Sequence, residues 1–258
     1  MANSQSSDGV GLTSQALQRL RRWNTPAIYN GWEQVTESDS SKEAFNLEET
    51  RDFMPHLGAM VGYAVTCVIE PSNSKHAAVQ PSPWIAYRNY LASLPGPKII
   101  VVQDLDKPRT YGAGWGEVNA NIHRALGCVG AIIDGGVRDI DEMTQVGFKT
   151  LARRLCVGHA AAIPVRWDCD VEVFGTPIKP GQLIHADQHG FLSVPPGEEG
   201  KLLAATEFMD RMESEHLIPA TQTNDGESFS GIAARINHGA QQFTEAVQER
   251  FRNRGEWS

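Results

Sequence analysis

The chain has 258 residues, 41% of them hydrophobic and 21% charged, with a formal net charge of −8. That length holds one large domain, or one domain with appendages. The acidic balance argues against a nucleic-acid surface, which needs a basic face, and no run approaches the roughly eighteen apolar residues of a membrane span.

The N-terminal stretch "MANSQSSDGVGLTSQ" is polar and lacks an apolar h-region, so it is not read as a secretory signal. Residues 1–14 are expected to be a disordered tail. Cys67, Cys128, Cys156 and Cys169 are scattered with no CxxC pair. They read as reduced thiols of a cytoplasmic protein rather than disulfides or a zinc site. Residues 15–23, "QALQRLRRW", predict a helix, and Asn24-Thr25-Pro26 opens a second one around "AIYNGWEQV". Residues 36–50 read as loop, 62–70 as a β-branched strand, 71–83 as loop and 84–94 as a helix closed by Pro95-Gly96-Pro97. The continuous apolar run at 98–105 predicts a strand covered on both faces.

Glycines 112, 114 and 116 then form a loop. Glu117 to Leu126 reads as a helix stopped by Gly127, and "VGAIID" is a second buried strand. Strand, glycine loop, helix and strand make one crossover unit with a parallel strand pair. The next strand signal differs in kind. "VRWDCDVEVFG" (165–175) alternates apolar and polar residues, which predicts a half-exposed antiparallel strand or hairpin. "KPGQLIHADQHGFLSVP" adds two short strands about a turn at Asp187 to Gly190. A helix follows at 198–213, then a polar linker over 217–230. The C-terminal segment 231–258 carries an amphipathic helix at about 229–252.

Two loops thus follow two adjacent buried strands, where open sheets with crossover helices bind ligands. Residues 112–119 lead into a helix start, whose free N–H groups attract carboxylate or phosphate. Gly116 allows an anion close approach to the backbone. The second loop supplies Arg138, which holds a carboxylate or polarised carbonyl in a fork, and Asp139, a hard oxygen ligand for Mg²⁺ or Mn²⁺. These parts suit a small 2-oxo acid; the competing reading is a surface Arg–Asp ion pair beside an ordinary helix start. "HADQH" offers His185, Asp187 and His189 either as a zinc site or as a structural hairpin. The stripe Ile232, Ile236, Ala240, Phe243, Val247 and Phe251 is expected to pack on its own domain or on a neighbouring subunit; the alternative, an anchor for a membrane or a partner, lacks a strong basic run.

"WGEVNANIHRALGCVGAIIDGGVRDIDEM" resembles the signature of the RraA-like family, which includes divalent-metal-dependent 4-hydroxy-4-methyl-2-oxoglutarate aldolases and oxaloacetate decarboxylases. "NTPAIYNGWE", "VGYAVTC" and "IKPGQLIHADQHGFLSVP" resemble its other conserved stretches, so the likeness runs over about residues 15–200. The resemblance implies an α/β fold: a swivelling β/β/α domain of mixed parallel and antiparallel sheet with surrounding helices. This catalytic domain would span 15–216 and assemble as a homotrimer or hexamer. It implies that Gly116, Glu117, Val118 and Asn119 hold the substrate carboxylate, that Arg138 binds substrate and steadies an enolate, and that Asp139 binds Mg²⁺ or Mn²⁺. Asn119, Asn30 and Gln182 depart from the family pattern, Trp115 adds bulk beside the loop, and the 71–83 loop and the C-terminal helix are additions. The expected activity is a lyase acting on a pyruvyl-containing 2-oxo acid, by aldol cleavage or by oxaloacetate decarboxylation. A metal-bound water is the first choice of base, His123 the second, and a plain helix-surface role is the alternative for His123. Two other readings stand beside it: a lyase recruited to a different acid, and a non-catalytic binding relative, since some members bind and inhibit an RNA-degrading enzyme. A methyltransferase role finds no glycine-rich nucleotide motif to support it.

Overall fold

The computed structural model describes residues 11–42 and 44–251. Most of the expected N-terminal tail lies outside that range. From Gly11 on the chain is tied down: the Leu12 N–H donates to the Tyr63 hydroxyl at 2.6 Å. Helix α1 (Ser14–Leu20) is N-capped by the Thr13 hydroxyl, and α2 (Thr25–Glu33) by the Asn24 side chain, with Pro26 in the first turn. In chain order there follow β1 (Arg51–Asp52), β2 (Met60–Ile69), α3 (Pro83–Ser93), β3 (Lys98–Asp104), β4 (Ala113–Trp115), α4 (Glu117–Ala125), β5 (Cys128–Val137), α5 (Ile140–Val146) and β6 (Lys149–Leu155). Then come β7 (Pro164–Trp167), β8 (Val171–Val173), β9 (Thr176–Ile178), β10 (Leu183–Asp187) and β11 (Gly190–Val194). Helix α6 (Glu199–Met212) passes through a π turn (Glu213–Leu217) into the short α7 (Ile218–Ala220), and α8 (Phe229–Phe251) closes the described chain.

One sheet runs β1-β6-β5-β3-β2-β10-β11, with β4 beside β5 and β7 beside β2. Strands β2, β3, β5 and β6 are parallel; β1, β10, β11 and β7 pair antiparallel. The expected mixed sheet is therefore present. Strand β5 is apolar nearly throughout because both its faces are covered. Ala131 and Ile133 pack with Tyr87, Leu91, Ala120, Met143 and Phe148 from the helical side. Ile132 packs on the other side with Val171, Val173, Phe174 and Phe191. Side chains alternate along a strand, so a two-sided core demands a continuous run.

Two elements differ from the sequence reading. Strand β6 was not expected, because Lys149, Arg153 and Arg154 interrupt the apolar pattern. Lys149 is nonetheless 3% exposed, its ammonium held by the Asp52 carboxylate and the Met54 carbonyl. Arg153 is paired with Asp134 and Glu48. The partners come from remote segments, so local pattern conceals the strand. The alternating stretch 165–175, read as an antiparallel strand or a hairpin, is neither one strand nor a hairpin closed on itself. Asp168 takes a left-handed backbone at φ 54°, which sends β7 along β2 and β8 into a separate hairpin with β9. Strand β2 offers β10 its first half and β7 its second half along one edge, so a single long partner has no place there.

The region read as linker, 217–230, is partly helical. Phe243 and Val247 of α8 are fully buried against Phe208, Met209 and Met212 of α6. The C-terminal half of the apolar stripe, from Phe243 on, thus packs on its own chain. Residues 252–258 lie outside the described range. Among the described residues no helix is long and apolar enough to cross a membrane.

At the end of β3, Asp104 is 1% exposed. One of its oxygens accepts the Asp106 N–H; the other, Oδ2, is buried without a partner beside Gly135. Burial, reinforced by the negative charges of Asp106 and Asp134, pushes its pKa up from 3.8 to about 6. The folded state therefore holds a proton that the unfolded state releases near pH 4. The contribution of this group to stability is greatest below pH 4 and is lost as pH rises through 6. Asp104→Asn keeps the acceptor for Asp106 and removes the buried charge. Urea melts at pH 5 and pH 7.5 should show the variant gaining on the parent at the higher pH; an equal difference at both values would refute the assignment.

Candidate active site

The glycine loop and the Arg138–Asp139 turn meet because β4 runs parallel to the end of β5, Trp115 pairing with Val137. The Arg138 N–H donates to the Trp115 carbonyl at 3.0 Å. Asp139 takes a left-handed conformation, φ 56° and ψ 48°, at the N-cap of α5. That break in strand alternation brings two neighbouring side chains to the same cleft, whose wall includes both. The Asp139 carboxylate accepts the Glu117 N–H at 3.0 Å, and its Oδ2 lies 3.4 Å from Arg138 Nε. Arg138 also donates to the Val157 carbonyl at 3.2 Å. Both side chains stay reachable, 38% and 35% exposed respectively. A Cβ on Gly116 would fall 2.3 Å from Asp139 Oδ2 and 3.1 Å from Arg138 Cγ, so any larger residue would displace the Asp139 carboxylate from its place.

The cleft has a volume of about 720 Å³. Gly116, Val118, Asn119, Arg138 and Asp139 line it. Glu117 contributes its backbone N–H, but to Asp139 rather than to an incoming anion. The first-turn N–H groups of Val118 and Asn119 have no i−4 carbonyl within the helix, and their end of the helix dipole favours an anion. The Asn119 side chain donates to the Gly114 carbonyl at 3.2 Å. It braces the glycine loop, which accounts for an amide where the family pattern carries leucine. The other departures are structural in the same way. Asn30 donates to Glu213 Oε1 at 3.0 Å, tying α2 to the π turn, and Gln182 accepts from the Lys179 N–H and the Ser193 hydroxyl.

Asp139 is, among the described residues, the one carboxylate in the cleft wall. Among the described residues no three His, Cys, Asp or Glu side chains gather as a metal cage. That donor set does not suit a structural zinc ion. It does suit Mg²⁺ or Mn²⁺, which accept one carboxylate and complete their shell with water and substrate. Oxygen Oδ1 of Asp139 makes no hydrogen bond to the described residues, so a donor atom is available.

His123 is not on the helix surface, nor is it placed to act as a base. It is fully buried. Its Nδ1 lies 2.6 Å from the Asn119 carbonyl and its Nε2 3.3 Å from the Tyr87 hydroxyl, and the ring packs 4.8 Å from Trp115. Burial pushes its pKa down to about 4, so it is neutral at physiological pH and serves as a core residue. The "HADQH" segment is likewise engaged. His185 is 1% exposed, between the Thr25 hydroxyl (2.9 Å) and the Leu20 carbonyl (3.2 Å). Asp187 accepts the backbone N–H groups of Thr25 and His189. The group fastens the start of α2 to the β10–β11 hairpin.

A family model described as RraA-like (Aldolase/RraA) matches residues 26–192. The chain belongs to the RraA-like family. A protein of Halalkalibacterium halodurans named "Putative 4-hydroxy-4-methyl-2-oxoglutarate aldolase" is 26% identical over 149 residues, 54% of this chain and 70% of that one. Protein DlpA of Legionella pneumophila is 22% identical over 53% of this chain, but the match spans only 21% of DlpA. Among solved structures, an uncharacterised protein of Pseudomonas syringae superimposes with a TM-score of 0.66 at 20% identity, over 90% of this chain and 99% of that one. Streptomyces coelicolor RraAS2, described as an unusual member of the RNase ES inhibitor RraA protein family, gives 0.63 at 17%, over 79% and 96%. These two likenesses establish the RraA-like fold. The RraA-like cleft also contains residues that sequence reading did not single out: Trp84 and Arg88 of α3, and His159. They come from segments far from the glycine loops, and no local signal marks them.

Proposed function

We propose that this RraA-like chain is a divalent-metal-dependent lyase that cleaves a C–C bond of a pyruvyl-containing 2-oxo acid through a pyruvate enolate. One observation carries the reading: the open start of α4, the Arg138 guanidinium and the Asp139 carboxylate share a single cleft. The substrate carboxylate sits on the Val118 and Asn119 N–H groups. Arg138 reaches the 2-oxo oxygen and stabilises the negative charge that develops there as the bond breaks. Asp139 would hold the cation, and Glu117 steadies Asp139 through its N–H. Bound Mg²⁺ or Mn²⁺ supplies Lewis acidity to the 2-oxo group.

Decarboxylation of a 3-carboxy-2-oxo acid such as oxaloacetate needs no base: the carboxylate departs as CO₂, leaves its electron pair on C3, and the enolate takes a proton there from solvent. Aldol cleavage also requires a base for the 4-hydroxyl proton. His123 is buried and unsuited to that task. Of the side chains that line the cleft, His159 is the imidazole within it. Decarboxylation needs no such base and is the simpler of the two activities.

The test is pyruvate release from oxaloacetate, above the rate of metal alone, with Mg²⁺ or Mn²⁺ and again after EDTA. Metal-dependent release that EDTA stops is the expected result. Absence of release, together with absence of pyruvate binding in the presence of metal, would reject the lyase and favour the non-catalytic reading.

A further inference from the structure

Helix α3 belongs to the part of the chain that follows the 71–83 addition, and it brings a second guanidinium to the cleft. Arg88 lies in the cleft wall with Arg138 and Asp139. It is partly buried, and its Nε is fully covered without a protein acceptor. No carboxylate among the described residues pairs with it. By contrast, Arg153 and Arg235, the partly buried arginines outside the cleft among the described residues, are each held by carboxylates. The contact that positions Arg88 is Trp84, whose ring centre lies 5.4 Å from the guanidinium carbon. A guanidinium stacked on an indole keeps its edge N–H groups for a planar anion. The Trp115 indole N–H, in the same wall, is also buried without an acceptor. Among the described residues the cleft therefore holds two guanidiniums against one carboxylate, in a chain whose net charge is −8. Its volume of about 720 Å³ far exceeds a three-carbon acid.

We propose that Arg88 is a specificity-determining residue that takes the distal carboxylate of a dianionic 2-oxo acid while Arg138 holds the pyruvyl end. This rests on the lyase reading of the cleft for the orientation of the ligand. Trp84 is the positioning residue, acting through Arg88. A forked guanidinium–carboxylate pair discriminates strongly, because an apolar end group leaves the charge without a partner.

The test uses unreactive 2-oxo acids matched in length: 2-oxoglutarate against 2-oxopentanoate, and 2-oxoadipate against 2-oxohexanoate. Each is titrated calorimetrically into the full chain with Mg²⁺ present. The parent protein should prefer the diacid of at least one pair by about tenfold or more. Arg88→Gln should erase that preference by weakening the diacid and leaving the monoacid within about threefold. Arg88→Lys should restore part of it, since charge returns without the fork. Melting curves establish that both variants are folded. A parent protein that does not distinguish the acids, or an Arg88→Gln variant that keeps the preference, overturns the proposal. Arg138→Gln separates the two readings. It should weaken diacid and monoacid alike. If it changes neither while Arg88→Gln still erases the preference, the lyase orientation is wrong and the distal-carboxylate site stands.

Discussion

Asp139→Asn should leave the chain folded and reduce metal-dependent pyruvate formation by at least about 10²–10³-fold. The two halves of that expectation have separate causes. Asp139 sits in the left-handed region as the N-cap of α5, and asparagine is among the few residues that tolerate both positions. Its side-chain oxygen can still accept the Glu117 N–H that Asp139 accepts at 3.0 Å. The melting temperature should therefore move by less than about 2 °C. What the variant loses is the formal charge by which Asp139, in the proposed mechanism, would hold a hard divalent cation. Asp139→Ala removes the acceptor as well and should be inactive and also less stable. The decisive measurement is turnover with saturating Mn²⁺ and with EDTA. Parent-like turnover of Asp139→Asn that persists in EDTA would sink the metal-dependent mechanism.

Gly31→Ala should lower the melting temperature by roughly 6–12 °C, for a cost of about 3 kcal/mol in a chain of this size. Gly31 lies where α2 crosses α6. A Cβ there would fall 2.4 Å from the Thr206 hydroxyl oxygen and 2.6 Å from the Thr206 Cα and N. A side chain can swing aside, but the backbone of a packed helix cannot, so the helices must part. Parting them loosens Ile28, Trp32 and Leu202 in a shared apolar cluster and stretches the bond from Trp32 Nε1 to Glu198, 2.6 Å long. No residue of α2 or α6 lines the cleft, so turnover per folded molecule at low temperature should be retained. A melting temperature within about 2 °C of the parent would show that the crossing is looser than this packing.

The parts of the fold legible in the sequence were those with a strong local period. Strands β2, β3 and β5 are continuous apolar runs, and the β10–β11 hairpin turns where Asp187 to Gly190 signal it. The same reasoning failed at β6. Its charged residues are satisfied by Asp52, Asp134 and Glu48, which lie far away in sequence and close in space. It failed again at His123, where a polar residue on a short helix looks solvent-facing. Ala120 lies one turn before it on the same buried face, and that spacing is the clue that was available.

By itself the sequence determined the family-like motif, one parallel strand pair joined by a crossover helix, and the two glycine-rich turns that carry Gly116, Arg138 and Asp139. Each of these is written within a few consecutive residues, because a turn, a helix start or a buried strand is a local requirement on backbone and polarity. The tertiary structure alone decided that Glu117 gives its N–H to Asp139, that His123 is sealed in the core, and that Arg88 and Trp84 from α3 stand in the same cleft wall. These depend on contacts between segments tens of residues apart. Such contacts are set by how the helices cover the sheet, and no short stretch of sequence contains that information.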